Sequence, residues 1–317
     1  MTKSGQLSDS YSTLMQKQFA RIPCFTLVDA GGAAVMKLLG FQARCFYIFN
    51  TVIKAIIMQQ NSNTTPQIVS VRHEGNIAWL SLNNGRENVI GSQALDELSD
   101  ALKKVASADA VALTGNQKNF SSGLDLNEIA LLPKSEIIDF FDRLHDARKM
   151  LFGLQRPLIV AALGNAIGAG ASFLCCGDVR LGAYDSGRVG FTEAKLHVPL
   201  PASSRIIATH TLSIPGAQTA LIFGSTFSKE EAKNLGFFHS LCSIDTLVEQ
   251  ASKSAKEAAK ISSSAGMIKY SLRKAALLEM EQEKASSHEM FAEAWISADA
   301  QTQIARVMKS MSRKRSD

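Results

Sequence analysis

Nowhere do the 317 residues approach the roughly 20 uninterrupted apolar positions that a membrane span requires. The two longest apolar patches, "AAVMKLLGF" and "CFYIFNTVIKAII", are each broken by a base, and the start shows no leader order of charge, apolar run and small cleavage site. Paired cysteines are also missing. Cys24, Cys45, Cys175, Cys176 and Cys242 form an odd set without paired spacing, which excludes a disulfide framework and fits a reducing compartment. No His/Cys/Asp cluster has ligand spacing, so no metal site is expected. Charge of one sign is scarce as well. The net +5 is spread through mixed segments such as "ALKKVASADA" and "SKEEAKNLG", and the single basic run is the tail "KSMSRKRSD", which reads as a solvated end. This pattern argues against a dedicated nucleic-acid binder.

What is present is an ordinary globular composition, 46% hydrophobic and 20% charged, long enough for one large core or two small ones. Residues 1–57 differ in texture. Lys3, Lys17, Arg21, Lys37, Arg44 and Lys54 face only Asp9 and Asp29 there. This segment reads as a targeting presequence, an appended amphipathic piece or translated upstream sequence; the polar lead-in "MQQNSNTTP" favours a native start at Met58.

From Gln67 the pattern becomes regular. "QIVSVRHEGNIAWLSLN" alternates apolar and polar on both sides of "HEGN", which predicts two antiparallel strands and a tight turn. "SQALDELSDALKKVAS" predicts a helix capped by its serine, and "AVALTG" a short buried strand. A second unit follows with a helix over roughly 135–154, ending before Pro157, and the strand "LIVAAL". A third opens with a helix at Gly168 and continues into "VRLGAY", and from about Ser203 the pattern is helical. Repeated strand-strand-helix units with a helical end predict an α/β fold, a wound core over 58–202 and a helical region over 203–317.

The stretch "GNAIGAGASFLCCGD" at 164–178 packs four glycines and three alanines where a buried strand feeds a helix, a place suited to close approach by an anion. With "FSSGLDLNEI", "RVGFTEAKLHVPLP", "GSTFSKEEAKNLGF" and "KYSLRKA" in order, the chain from about 68 to 308 resembles the crotonase superfamily, the enoyl-CoA hydratase/isomerase family. The resemblance implies a crotonase-like spiral of strand-strand-helix repeats, a C-terminal helical subdomain that builds homotrimers or hexamers, and action on acyl-CoA thioesters with no cofactor beyond the substrate's own CoA. A cytoplasmic home is expected, or a mitochondrial or peroxisomal one if the source is eukaryotic.

Members of that family hold a thioester oxyanion or enolate on two backbone N–H groups. Aimed donors of this kind need no reorganisation during reaction, and losing one typically lowers rate about 10²- to 10³-fold. The matching positions are Leu124 in "SSGLDL" and Ala169 in "GAG", with Ser122 and Gly123 beside the substrate. The family usually carries Gly where Ala169 stands, so an extra methyl is expected near the thioester. Hydratases of the family hold water between two glutamates. Here Ser172 occupies the first of those positions and Glu193 the second, a pattern similar to the single-glutamate isomerases that move a double bond from position 3 to position 2. Among neighbours, His197 either orients Glu193 or is a stray helix histidine. His145 reads as part of a solvated face, and Asp125 and Asp178 as structural. Ser172 lies in no nucleophile elbow. Arg86, Lys269 and Lys274 are candidates for the CoA phosphates, and Ile137 to Phe141 together with "FTEAKLHVPLP" for the acyl pocket. Other readings stay open: a hydratase with atypical acid and base, a thioester hydrolase, or a silent acyl-CoA-binding or RNA-binding relative.

Overall fold

The computed structural model describes the strand segments 25–30 and 33–38 and residues 66–316, with side chains from 66 to 311. The chain divides into two compact units, Met1–Pro66 and Gln67–Asp317. In the first, β1 (Phe25–Ala30) pairs antiparallel with β2 (Ala33–Leu38), a hairpin for which the sequence carried no expectation. The start expected at Met58 lies outside the described residues.

The second unit is built on a six-stranded sheet of order β11-β8-β6-β5-β4-β3. Strands β3 (Val69–Glu74) and β4 (Ile77–Leu82) form the expected antiparallel pair, turning at Gly75 with φ 58°. Helix α1 (Ser92–Lys104) leads to β5 (Ala110–Thr114). The short α2 (Leu126–Ile129) and long α3 (Lys134–Phe152) lead to β6 (Leu158–Ala162), and β7 (Ala166–Ile167) precedes α4 (Ala169–Cys175) and β8 (Val179–Ala183). From β4 to β11 every pairing in this sheet is parallel.

The central strands β5 and β6 are almost wholly apolar because both their faces are covered. With a period of two, Ala78, Leu80, Val111 and Leu113 turn to the main core, while Ile77, Trp79, Ala110 and Ala112 turn to a second core with Leu247, Ala251 and Ala255 of α8 (Leu247–Ala259). A smaller sheet joins β7 to β9 (Val189–Gly190) and β9 to β10 (Thr226–Phe227). Helices α5 (Ala202–Thr211), α6 (Ile214–Ile222), α7 (Lys229–Leu235), α9 (Ser262–Trp295) and α10 (Ala298–Ser316) complete the chain.

Two expectations need correction. The region beyond 203 is not wholly helical, because β11 (Ser240–Cys242) adds the last parallel strand to the main sheet beside β8. Ser92 is not a cap but the first helical residue, after Gly91 in extended conformation; the Glu128 carboxylate accepts from its N–H at 3.1 Å. Among the described residues no helix is long and apolar enough to cross a membrane.

Candidate active site

Adjacent parallel strands deliver their following loops to the same edge of a sheet, and this geometry places the site. The loop after β5 and the loop after β6 are joined by a bridge between Ser121 and Ala166: the Ser121 N–H donates to Asn165 O at 2.9 Å, and Ile167 N–H donates to Ser121 O at 3.0 Å. Three residues beyond each bridge partner stand Leu124 and Ala169. The Leu124 N–H donates to no group among the described residues, and the Ala169 N–H, first of α4, has no intrahelical acceptor. Both residues line one cavity of about 260 Å³.

Glycine is required repeatedly in this construction: Gly123, which lines the cavity beside Leu124, has φ 98°. Gly168 has φ 54°, in the left-handed region, and turns the chain into α4; a Cβ there would sit 3.6 Å from Glu193 Oε1. Gly170 lies against the first loop, where a Cβ would come within 2.6 Å of Ser121 O. The crowding of small residues therefore serves both tight packing and access to the backbone.

Asn88 fixes the first loop from behind. It is buried at φ 52°, and its Nδ2 donates to Phe120 O at 2.7 Å and to Leu82 O at 3.1 Å. Ser122 Oγ donates to Glu87 Oε2 at 3.1 Å. Asp125 caps α2, accepting from the Asn127 N–H at 3.0 Å, as expected of a loop-shaping residue.

Glu193 opens a 3₁₀ turn, Glu193–Leu196, and is the one carboxylate lining the cavity among the described residues. Its Oε2 is buried without a hydrogen-bond partner. Burial raises its pKa above the ordinary carboxylate value, against the opposing pull of its own N–H, the Arg148 guanidinium and the Thr192 N–H. His197 does not orient it: the chain leaves the turn at His197 with φ 59°, and the His197 Nδ1 pairs with Asp299 at 2.7 Å.

Ser172 is not in the cavity lining. It is fully buried, its Oγ donating to Ala169 O at 2.9 Å and accepting from Arg148 Nε at 2.8 Å. Arg148, which does line the cavity, is the residue sequence reasoning missed. It lies two helical turns beyond Phe141 on the inward face of α3, so periodicity alone placed it beside core positions. Phe291 and Trp295 of α9 and Val307 and Met311 of α10 line the same cavity. Of the expected acyl-pocket segments, Phe141 and Thr192, Glu193, Lys195, Leu196, Val198 and Pro201 are brought there, whereas Ile137 belongs to the core.

The CoA candidates are scattered. Lys269 is buried, donating to Asp178 Oδ2 at 2.7 Å and to Arg156 O at 3.1 Å; burial lowers its pKa to about 8, and it cannot serve as a surface phosphate ligand. Lys274 is exposed on α9 and lines neither this cavity nor the second one described next. Arg86 lines that second cavity of about 950 Å³ with Arg72 and Lys118, and its neighbour Glu87 accepts the Ser122 N–H at 3.0 Å. His145, expected on a solvated face, is fully buried because α9 covers it, with Nε2 paired to Glu281 at 3.0 Å. Asp178 is structural as expected, accepting from Leu158 N–H and pairing with Lys269 and Arg273.

Two loop amides, one buried carboxylate and a largely apolar lining meet in this cavity. Residues 72–314 match the enoyl-CoA hydratase/isomerase family, and the chain belongs to it, a member of the crotonase superfamily and an enzyme of hydratase/isomerase type. It is 29% identical over 186 residues to a Mycobacterium leprae protein titled "Probable enoyl-CoA hydratase echA8", covering 56% of this chain and 69% of that one. A Mycobacterium tuberculosis enoyl-CoA isomerase structure is 26% identical with TM-score 0.65, covering 69% of this chain and 98% of that one. The human mitochondrial delta3-delta2-enoyl-CoA isomerase shares the fold with TM-score 0.74 at 21% identity, covering 78% and 99%.

Proposed function

We propose that the protein is an enoyl-CoA isomerase that shifts a double bond from position 3 to position 2 of an acyl-CoA, with Glu193 as its single base. Glu193 takes the proton from C2, the thioester oxygen gains charge against the Leu124 and Ala169 N–H groups, and the same carboxyl returns the proton to C4. The observation that carries this reading is the lone carboxylate of the cavity: Ser172, where hydratases of the family keep a second glutamate, is turned to Arg148 and Ala169 O instead. A carboxylate with one oxygen buried and unpartnered has a raised pKa and is the stronger base for it.

CoA enters as part of the substrate, with no separate cofactor. Its phosphates are assigned to the second cavity, a reading supported by the bases Arg72, Arg86 and Lys118 in its lining. Assembly as a homotrimer or hexamer is part of the same reading, supported by the exposed apolar side chains Ile214, Ile222 and Phe223. The test is a panel of 2-enoyl- and 3-enoyl-CoAs in which isomers, hydration products and free CoA are followed separately. Isomers without hydration are expected; hydration as the main reaction, or free CoA, refutes the assignment.

A further inference from the structure

Arg148 does not fit a cavity built for a plain hydrocarbon chain. It is 1% exposed and stands with Phe141, Phe291 and Trp295 in a lining that is otherwise largely apolar. A guanidinium carries five N–H donors. Nε donates to Ser172 Oγ at 2.8 Å and Nη1 to Ser203 Oγ at 3.2 Å, and Nη2 donates to no group among the described residues. Both partners are neutral hydroxyls, and no carboxylate forms an ion pair with it there; the one whose field it feels is Glu193. Burial lowers its pKa to about 10, so the group remains a cation at neutral pH.

A buried cation held by two hydroxyls, on which Glu193 acts only through its field, is incompletely compensated, and its Nη2, which has no acceptor among the described residues, adds to that cost. Methylene groups packed against Nη2 would leave both costs in place. A carboxylate would remove both, because it brings a negative charge and an oxygen that accepts from Nη2. A neutral carbonyl would satisfy a donor and leave the charge. We infer that Arg148 is a specificity-determining residue that receives a carboxylate on the acyl chain, so that the site takes CoA thioesters of dicarboxylic acids. This deepens the acyl-CoA reading of the cavity and rests on it.

The test uses binding rather than turnover, so that it stands apart from the assignment of Glu193. Glutaryl-CoA and pentanoyl-CoA have the same acyl length and the same CoA, neither can isomerise, and calorimetric titration gives both affinities. The wild-type protein is expected to bind glutaryl-CoA roughly 10- to 100-fold more tightly, the range of a charge-assisted hydrogen bond. Arg148→Gln should abolish that preference. Equal wild-type affinities, or a preference that survives in Arg148→Gln, overturn the proposal; failure of both esters to bind refutes the acyl-CoA reading itself. Should the glutamine variant not fold, Arg148→Lys carries the comparison, since it keeps the charge and loses the fork. The preference should then shrink, and an unchanged preference overturns the proposal.

Discussion

Lys229 begins α7 just inside the Ser228–Glu231 capping box, and its side chain runs into the core at 1% exposure. Its Nζ lies 3.4 Å from Ala162 O and 4.8 Å from the centre of the Phe238 ring. Those contacts do not replace water. Burial lowers the ammonium pKa from 10.5 to about 7. Between those two values the unfolded chain holds a proton that the folded chain has released, so this residue makes stability rise with pH. Near pH 8 the difference approaches one proton, a slope of about 1.2 kcal/mol per pH unit, and the gain from pH 7 to pH 9 comes to roughly 2 kcal/mol. Lys269, lowered to about 8, adds in the same sense. Above pH 9 the thiols of Cys175 and Cys176, raised to about 12 by burial, ionise first in the unfolded chain and oppose the trend. Lys229→Met keeps the stem and removes the charge. Urea unfolding of both proteins at pH 7, 8 and 9 should show the variant more stable at pH 7, with its advantage shrinking by roughly 2 kcal/mol at pH 9. A variant less stable at pH 7, or a pH-independent difference, refutes the reasoning.

Other expectations concern the site. Ala169→Pro removes one loop N–H and should lower kcat about 10²- to 10³-fold while acyl-CoA binding is partly retained; proline is tolerated at the first helical position, and a circular dichroism spectrum matching wild type with full activity would contradict the assignment. Ser172→Glu should not confer hydration of 2-enoyl-CoA, because the new carboxylate meets the Arg148 guanidinium, now 2.8 Å from Ser172 Oγ. Hydration, read as loss of enoyl-thioester absorbance, is expected only when Arg148→Gln accompanies it; hydration by the single variant refutes this. Glu193 must be ionised to act as base and its pKa is raised, so kcat/KM should fall as pH drops through a value above the ordinary 4.5; a limb at or below 4.5 contradicts it.

The wound core was legible because it obeys short-range rules. Alternation in "VSVRHE" and "IAWLSL", and continuous apolar runs in "AVALT" and "LIVAA", give the strands directly, and small residues at 164–171 mark where backbone must come close. Leu124, Ala169 and Glu193 were legible only together, as motifs in register, and the fold brings all three to one cavity. What escaped depends on partners distant in sequence. His145 lies on a face of α3 that looks amphipathic until Glu281 of α9, 136 positions later, pairs with it, and Arg148 is held by Ser172 and Ser203, 24 and 55 positions away. Lys269 looked like a free surface base, but Asp178, 91 positions away, holds it. β11 is three residues long, too short to show a period.

The central claim, one carboxylate carrying both proton transfers, is tested most directly by the rate at which Glu193→Gln converts 3-enoyl-CoA to 2-enoyl-CoA. The account predicts an active wild-type isomerase and a loss of about 10² to 10⁴ in the variant, with the affinity for an unreactive saturated acyl-CoA unchanged. If the wild-type protein instead hydrates 2-enoyl-CoA efficiently and Glu193→Gln leaves that rate intact, the single-base account is wrong.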